Sequence, residues 1–250
     1  LFFSFYERDL ATPIGPAQQA LFDSGNRVGV IAHGLRPGGT HVDNPAYHHD
    51  RAVARTLPLL DEAKVPAIYE AAFTELGTRI RADILARTSG GIWDLIEVKS
   101  STSVKSEHIP DASIQLLVLE EAGLPIEHVY IAHIDRDYVY RGGDYPADEL
   151  LKLTDITDKV RAYMGKVPNE LGAMREMLSE DDPPAIELGP HCKNPYVCDF
   201  YAHCRGLEPD ASIEELPRLS GALRTRLRDA GIRSIHDIPV DEKLSVMQAK

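Results

Sequence analysis

Nowhere in the 250 residues does an apolar run approach the roughly 20 that a membrane span requires. No charged-then-apolar leader opens the chain either. Disulfides are poorly provided for. The three cysteines, Cys192, Cys198 and Cys204, are odd in number and fall in one short stretch, which is no framework for pairing. With the missing leader, they predict a reducing, cytoplasmic setting. Basic charge is scarce as well: 27 Lys and Arg face 39 Asp and Glu, a net −12. Taken alone, that argues against a polyanionic partner, for which a basic face is the usual footprint. The total hides unevenness, however. Residues 141–182 hold six Lys/Arg and ten Asp/Glu, whereas residues 216–236 hold five Arg and one Asp. Internal repeats and low-complexity tracts are absent. So is an initial Met: the chain opens on Leu1-Phe2-Phe3-Ser4-Phe5-Tyr6 and stops at Lys250 inside what reads as a helix. It is expected to be an internal piece of a longer protein.

What is present has the composition of a soluble globular protein. Residues 16–35 read as a helix ending near Gly34, with Pro37-Gly38-Gly39 as a turn. Residues 46–63 read as a second helix, stopped before Pro66. Ala67 to Phe73 is a strand candidate, and residues 79–84 alternate polar and apolar as a half-buried strand does. Ser89-Gly90-Gly91 makes a turn into a strand from Ile92 to Lys99. Residues 109–122 form a helix closed by Gly123 and Pro125, and His128 to Ile134 is another strand. The order is helix, three strands, helix, strand, a mixed α/β layout. Residues 148–180 read as acidic helix, followed by Pro183-Pro184, the cysteine loop, and a small helical unit from about 212. Trp93 is read as packing. His48 and His49 diverge by about 100° on a helix and are read as surface residues.

Period-2 geometry places Arg79, Arg81 and Asp83 on one face of their strand and Glu97 and Lys99 on one face of theirs. The tight turn between these strands predicts that they lie side by side. Two carboxylates and an amine then meet. This is the set that phosphodiester hydrolysis uses: carboxylates hold a hard divalent cation, and a lysine orients the attacking water or offsets developing charge. The competing reading is a set of salt bridges on an exposed sheet face.

The wider context resembles a known family. Arg81-Ala82-Asp83-Ile84-Leu85, then Ile96-Glu97-Val98-Lys99-Ser100-Ser101-Thr102, then His108-Ile109-Pro110-Asp111 with Gln115, resembles the RecB-like branch of the PD-(D/E)xK nucleases. The resemblance covers about residues 20–206. It implies a restriction-endonuclease-like core and Mg²⁺- or Mn²⁺-dependent cleavage of DNA, exonucleolytic in mode. It further implies Asp83, Glu97 and the Val98 backbone carbonyl as metal ligands, and Lys99 and Gln115 as catalytic residues. Two positions depart from the family pattern. Gly29 stands where a metal-binding His would follow Gly25, so water or Glu70 is expected to complete the shell, Glu70 being equally suited to pair with Arg79 or Arg81. Leu119 stands where a Tyr often follows the Gln.

Thiolates at C-x5-C-x5-C spacing suit an iron–sulfur cluster, or zinc as second choice because zinc usually takes closer pairs. The string from Gly189 through Cys204 resembles the C-terminal cluster staple of iron–sulfur RecB-like nucleases, a helical [4Fe–4S] appendage pinning the end of the domain to its beginning. The fourth ligand is then expected just upstream of Leu1. More closely, the chain resembles a bacterial family in which this nuclease precedes an RNase H-like exonuclease domain in the same polypeptide. Leu219 to Ile235 resembles a helix-hairpin-helix, with Arg224, Arg226 and Arg228 toward phosphates or, equally, a packing helix pair with a solvated Arg face. The expected segments are 1–40 (helical), 41–145 (nuclease core), 146–206 (helix and cysteines) and 207–250 (tail and connector). The rival functions are a catalytically silent DNA-binding module that keeps the fold, and a zinc-stapled interaction domain.

Overall fold

A computed structural model describes all residues except 44, 46, 47, 246, 249 and 250. Its elements are α1 (Phe2–Tyr6), α2 (Pro16–Ala32), β1 (Thr40–His41), α3 (His49–Asp61), β2 (Ala67–Glu75), β3 (Thr78–Arg87), β4 (Trp93–Lys99), α4 (His108–Glu121), β5 (Ile126–Ile134), α5 (Ala147–Leu150), β6 (Leu151–Asp155), α6 (Thr157–Met164), α7 (Val167–Ser179), α8 (Tyr201–Gly206) and α9 (Gly221–Asp229). The class is α/β. Two units divide the chain: Gly15–Gly172, and Leu1–Ile14 together with Ala173–Lys250. The expected segment boundaries at 40, 145 and 206 do not coincide with this division, because α2 and residues 146–172 pack with the sheet.

In the Gly15–Gly172 unit, six strands run in sequence order across one mixed sheet. Adjacent strands β2, β3 and β4 are antiparallel, β1 is parallel to β2, and β6 is antiparallel to β5. Strand β5 returns parallel to β4, with α4 as the crossover that such a pair needs. Buried on both faces, β2 and β3 read as near-continuous apolar runs over Ala67–Phe73 and Ala82–Ala86. One face packs on Ala52 of α3, on Ala112, Leu116 and Leu119 of α4, and on Val160 of α6. The other packs on Val28 and Ala32 of α2 and on Leu150 of α5. Helix α4 is apolar nearly all round, since sheet and α6 cover opposite sides of it.

The alternation of β2 and β3 breaks at one level. Ala67 and Tyr69 face α2 while Ala71 and Phe73 face α4; on β3, Ile80 and Ala82 face α4 while Ile84 and Ala86 face α2. The switch falls at Glu70, whose φ is +58°, and at Asp83 opposite it. A left-handed backbone costs a non-glycine residue on the order of 1–3 kcal/mol and collects at functional sites.

Several sequence expectations change. Residues 148–180 are not one helix: β6 interrupts them and extends the sheet. His49 is buried, not on the surface, its ring N–H donating to the Phe73 carbonyl at 3.0 Å. The second helix begins at His49; its expected start at 46 and 47, and the helix expected at Lys250, lie outside the described residues. Trp93 is packed inside, beneath the Arg87 guanidinium 4.1 Å from its ring centre.

Candidate active site

Strands β3 and β4 pair from Arg87↔Trp93 to Ile84↔Ile96 and then part. Asp83 and Glu97 follow that last pair, at the opening of the fork. One Asp83 carboxylate oxygen accepts from the Val98 backbone N–H at 2.6 Å, taking the place of a ladder bond. From the same strand, Lys99 donates to Glu97 Oε1 at 2.7 Å. Helix α4 closes the far side: Gln115 Nε2 donates to Glu97 Oε2 at 2.7 Å, and Asp111 accepts from Lys99 at 2.6 Å. Four sequence-predicted residues, Asp83, Glu97, Lys99 and Gln115, are thus gathered from two strands and a helix. Glu97 and Gln115 are buried, and Gln115 Oε1 is a buried acceptor with no hydrogen-bond donor. A metal-bound water is a donor that would satisfy it.

Electrostatically the site is loaded. Burial holds the Asp83 carboxyl well above the usual range, and the Glu97 and Glu70 charges add to this against the Val98 N–H and Lys99. Burial also raises Glu97, while Lys99 pulls it back. Burial alone would lower the Lys99 ammonium, but the Glu97 charge and the bonds to Asp111 and Glu97 outweigh it and hold the amine firmly protonated. Such crowding is costly without a cation. The unfolded Asp83 ionises first as pH rises, so the penalty grows from the ordinary carboxylate range upward and is absent below it. In chelator at neutral pH, Asp83→Asn is therefore expected to melt above wild type, by about 2–4 °C for each kcal/mol relieved. The gap should vanish in acid. A scanning-calorimetry series over pH checks this; a variant that melts lower at every pH refutes the crowding.

On the α2 side of the fork lies a cavity of about 310 Å³ lined by His33, His41, Asp43, Glu70, Arg81, Asp83 and Val98 among others. Glu70 faces the same space as Asp83. Arg79 pairs with Asp50 at 3.5 Å, and Arg81 donates to the Pro45 carbonyl at 3.3 Å. Sequence reasoning missed His33, His41 and Asp111. His33 stands four residues after Gly29, about one helical turn on, and its ring stacks on Tyr69 at 4.0 Å. Burial, then His41, lowers its pKa. His41 arrives on β1, which is held against β2 as Gly39 passes the Tyr69 ring too closely for any Cβ. A second acidic group was also missed: ligand atoms of Asp94, Glu127 and His128 all lie within 4.8 Å of one another. Among the described residues, no other group of three meets that spacing, the fork carboxylates and the cysteines included.

Within the terminal unit, Phe3 packs on Phe200 at 5.4 Å and on His203 at 5.5 Å, and the Thr12 N–H donates to the Asp199 carbonyl at 2.8 Å. The Cys198 N–H donates to the Cys192 carbonyl at 2.8 Å. All three cysteines are free thiols. Burial raises the Cys204 thiol, and the Cys198 and Cys192 charges raise it further. The tail arginines turn toward carboxylates. Arg224 pairs with Glu214 at 2.9 Å, Arg228 with Glu187 at 2.7 Å and Glu214 at 3.0 Å, and Arg226 with Glu242 at 2.5 Å. Arg228 is 10% exposed and Arg226 55%. The second helix of the expected hairpin is a single 3₁₀ turn, Ile235–Asp237.

No family profile matches the chain, and no curated protein matches it. Nine chains of solved structure match. One of them, titled "Crystal structure of SSO0001", is 16% identical over 64% of this chain and 72% of that chain, with a TM-score of 0.23. Superposition that loose carries no argument about fold or function.

Proposed function

We propose that the protein is a divalent-metal-dependent nuclease that hydrolyses phosphodiester bonds in DNA, built on a restriction-endonuclease-like core. The observation that carries this reading is the convergence of Asp83, Glu97, Lys99 and Gln115 at the point where β3 and β4 part. A buried cluster of this kind is a poor salt-bridge surface, since two carboxylates are held where burial penalises their charge.

Asp83 and Glu97 would hold Mg²⁺ or Mn²⁺, with the Val98 carbonyl, and Glu70 and His33 line the cavity that Asp83 and Val98 also line, as further donors. The neutral form favoured for His33 is the one that ligates metal. When bound, such a cation neutralises phosphate charge and makes its water a stronger nucleophile. Lys99 stays charged and offers an N–H to that water or to the phosphate. Gln115 fixes Glu97 through one end of its amide and leaves its oxygen for a donor in the site.

The direct test is cleavage of labelled single- and double-stranded DNA by the purified chain with Mg²⁺, Mn²⁺ or chelator. Metal-dependent cutting supports the proposal; DNA binding without cutting in any metal favours the silent DNA-binding module. For the terminal unit we propose a [4Fe–4S] site using Cys192, Cys198 and Cys204, supported by the Cys198 N–H bond to the Cys192 carbonyl and by the packing of the N-terminal Phe3 on Phe200 and His203 in the same stretch. Zinc, which usually takes closer Cys pairs, is the alternative. Metal analysis and the visible spectrum separate the two.

A further inference from the structure

This inference rests on the nuclease reading of the fork and concerns a residue that reading leaves without a role. An ammonium has three N–H donors. Lys99 gives one to Glu97 Oε1 at 2.7 Å and one to Asp111 Oδ2 at 2.6 Å, which leaves one for the reaction. Asp111 lies in the first turn of α4, four residues before Gln115, so the two share a helix face. That face grips two alternate residues of β4 at once, Asp111 holding Lys99 and Gln115 holding Glu97.

Consider the site without Asp111. The nearest anion to Lys99 is then Glu97 alone, whose oxygens the cation also needs. A lysine folded onto Glu97 competes with the metal and points away from the phosphate. With Asp111 in place, the ammonium has a second anchor 2.6 Å away and can release Glu97 without becoming free to swing. We infer that Asp111 is a positioning residue: it holds Lys99 clear of Glu97 when metal binds and aims the remaining N–H into the site. The bland alternative is a half-exposed ion pair at a helix N-terminus, where an aspartate is favoured in any case and contributes little.

The two are separated by measuring Mn²⁺ affinity by calorimetry, with kcat and KM on a DNA substrate, for the full chain and four variants: Asp111→Asn, Asp111→Glu, Lys99→Met and the Lys99→Met/Asp111→Asn pair. Asp111→Asn is expected to lower kcat by about tenfold to a hundredfold with KM nearly unchanged. It should also weaken Mn²⁺ by about tenfold. Asp111→Glu should restore most of both. In the Lys99→Met background, Asp111→Asn should change Mn²⁺ affinity no further, because the residue acts through the amine. An Asp111→Asn protein equal to wild type in kcat and Mn²⁺ affinity overturns the inference, and so does a loss of Mn²⁺ affinity that persists without Lys99. Mn²⁺ coupling in a chain that cuts no nucleic acid keeps the positioning role and removes the nuclease reading. Absence of Mn²⁺ binding by wild type overturns both.

Discussion

Alanine at Asp83 or at Glu97 is expected to cut the rate of DNA cleavage by roughly 10³-fold or more while leaving the chain folded. Each carboxylate is a proposed cation ligand, and losing one removes several kcal/mol of charge stabilisation at tenfold per 1.36 kcal/mol. The two variants should differ in what they do to the apoprotein. Asp83→Ala takes the acceptor from the Val98 N–H but relieves the crowding with Glu97 and Glu70. Glu97→Ala leaves the buried Gln115 amide without its acceptor, at a cost of about 1–3 kcal/mol, and leaves Lys99 to Asp111 alone. Neither touches the apolar layer of Ile68, Leu85, Leu95 and Leu116, so both should keep the wild-type circular-dichroism spectrum. Single-turnover cleavage in Mn²⁺ is the measurement, and a wild-type rate from either variant removes the assignment of the fork as the active site.

The second large effect is expected from Cys198→Ser. If the three cysteines hold a cluster, this variant loses the cluster's iron and visible absorbance, and residues 1–14 and 186–206 lose hydrogen-exchange protection together. The effect should stop there and leave β2, β3 and β4 protected. A cluster across Cys192–Cys204 would restrict that stretch in the unfolded chain, worth about 2–4 kcal/mol, and the N-terminal segment leans on the same stretch through Phe3 on Phe200 and His203 and Thr12 on Asp199. Among the described residues the terminal unit's apolar cluster is small, built on Ile213, Leu216, Leu223 and Leu227. The affected N-terminal stretch ends near residue 14 because α2 packs on the sheet through Val28 and Ala32. Protection that falls at one end and not the other would show that the cysteines do not join them.

Much of the α/β unit was legible in the residues. The alternation over 79–84, the Gly90-Gly91 turn and the apolar stretch to Lys99 give β3 and β4 as neighbours, and that adjacency alone brings Asp83 to Glu97. Gly123 marks the end of α4, about two turns beyond Gln115. Less legible was β6. Leu151-Lys152-Leu153-Thr154-Asp155 is short and sits among strong helix formers, and only its ladder to β5 makes it a strand. Contacts across elements were the other blind spot. Asp111 reaches Lys99 because α4 lies along β4, and His41 reaches His33 because a two-residue strand docks on β2. Neither placement leaves a periodic trace. The tail shows the same blind spot: in sequence its arginines suit phosphates or a solvated packing face equally, and four of the five, Arg224, Arg226, Arg228 and Arg233, meet the glutamates at 187, 214 and 242.

The discontinuity of the terminal unit has a consequence for synthesis. Leu1–Ile14 leaves the ribosome before all of Gly15–Gly172, yet its companions begin at Ala173. At about 5–20 residues per second, the aromatic run of Phe2, Phe3, Phe5 and Tyr6 waits on the order of ten seconds or longer for Phe200 and His203 to emerge. During that interval the sheet can assemble around its own layers, because none of its strands comes from the waiting segment. The nascent chain therefore carries this aromatic segment without its partners while Gly15–Gly172 is made, a natural target for a holdase, and any cluster insertion that needs both segments is deferred until the cysteine loop has cleared the exit tunnel.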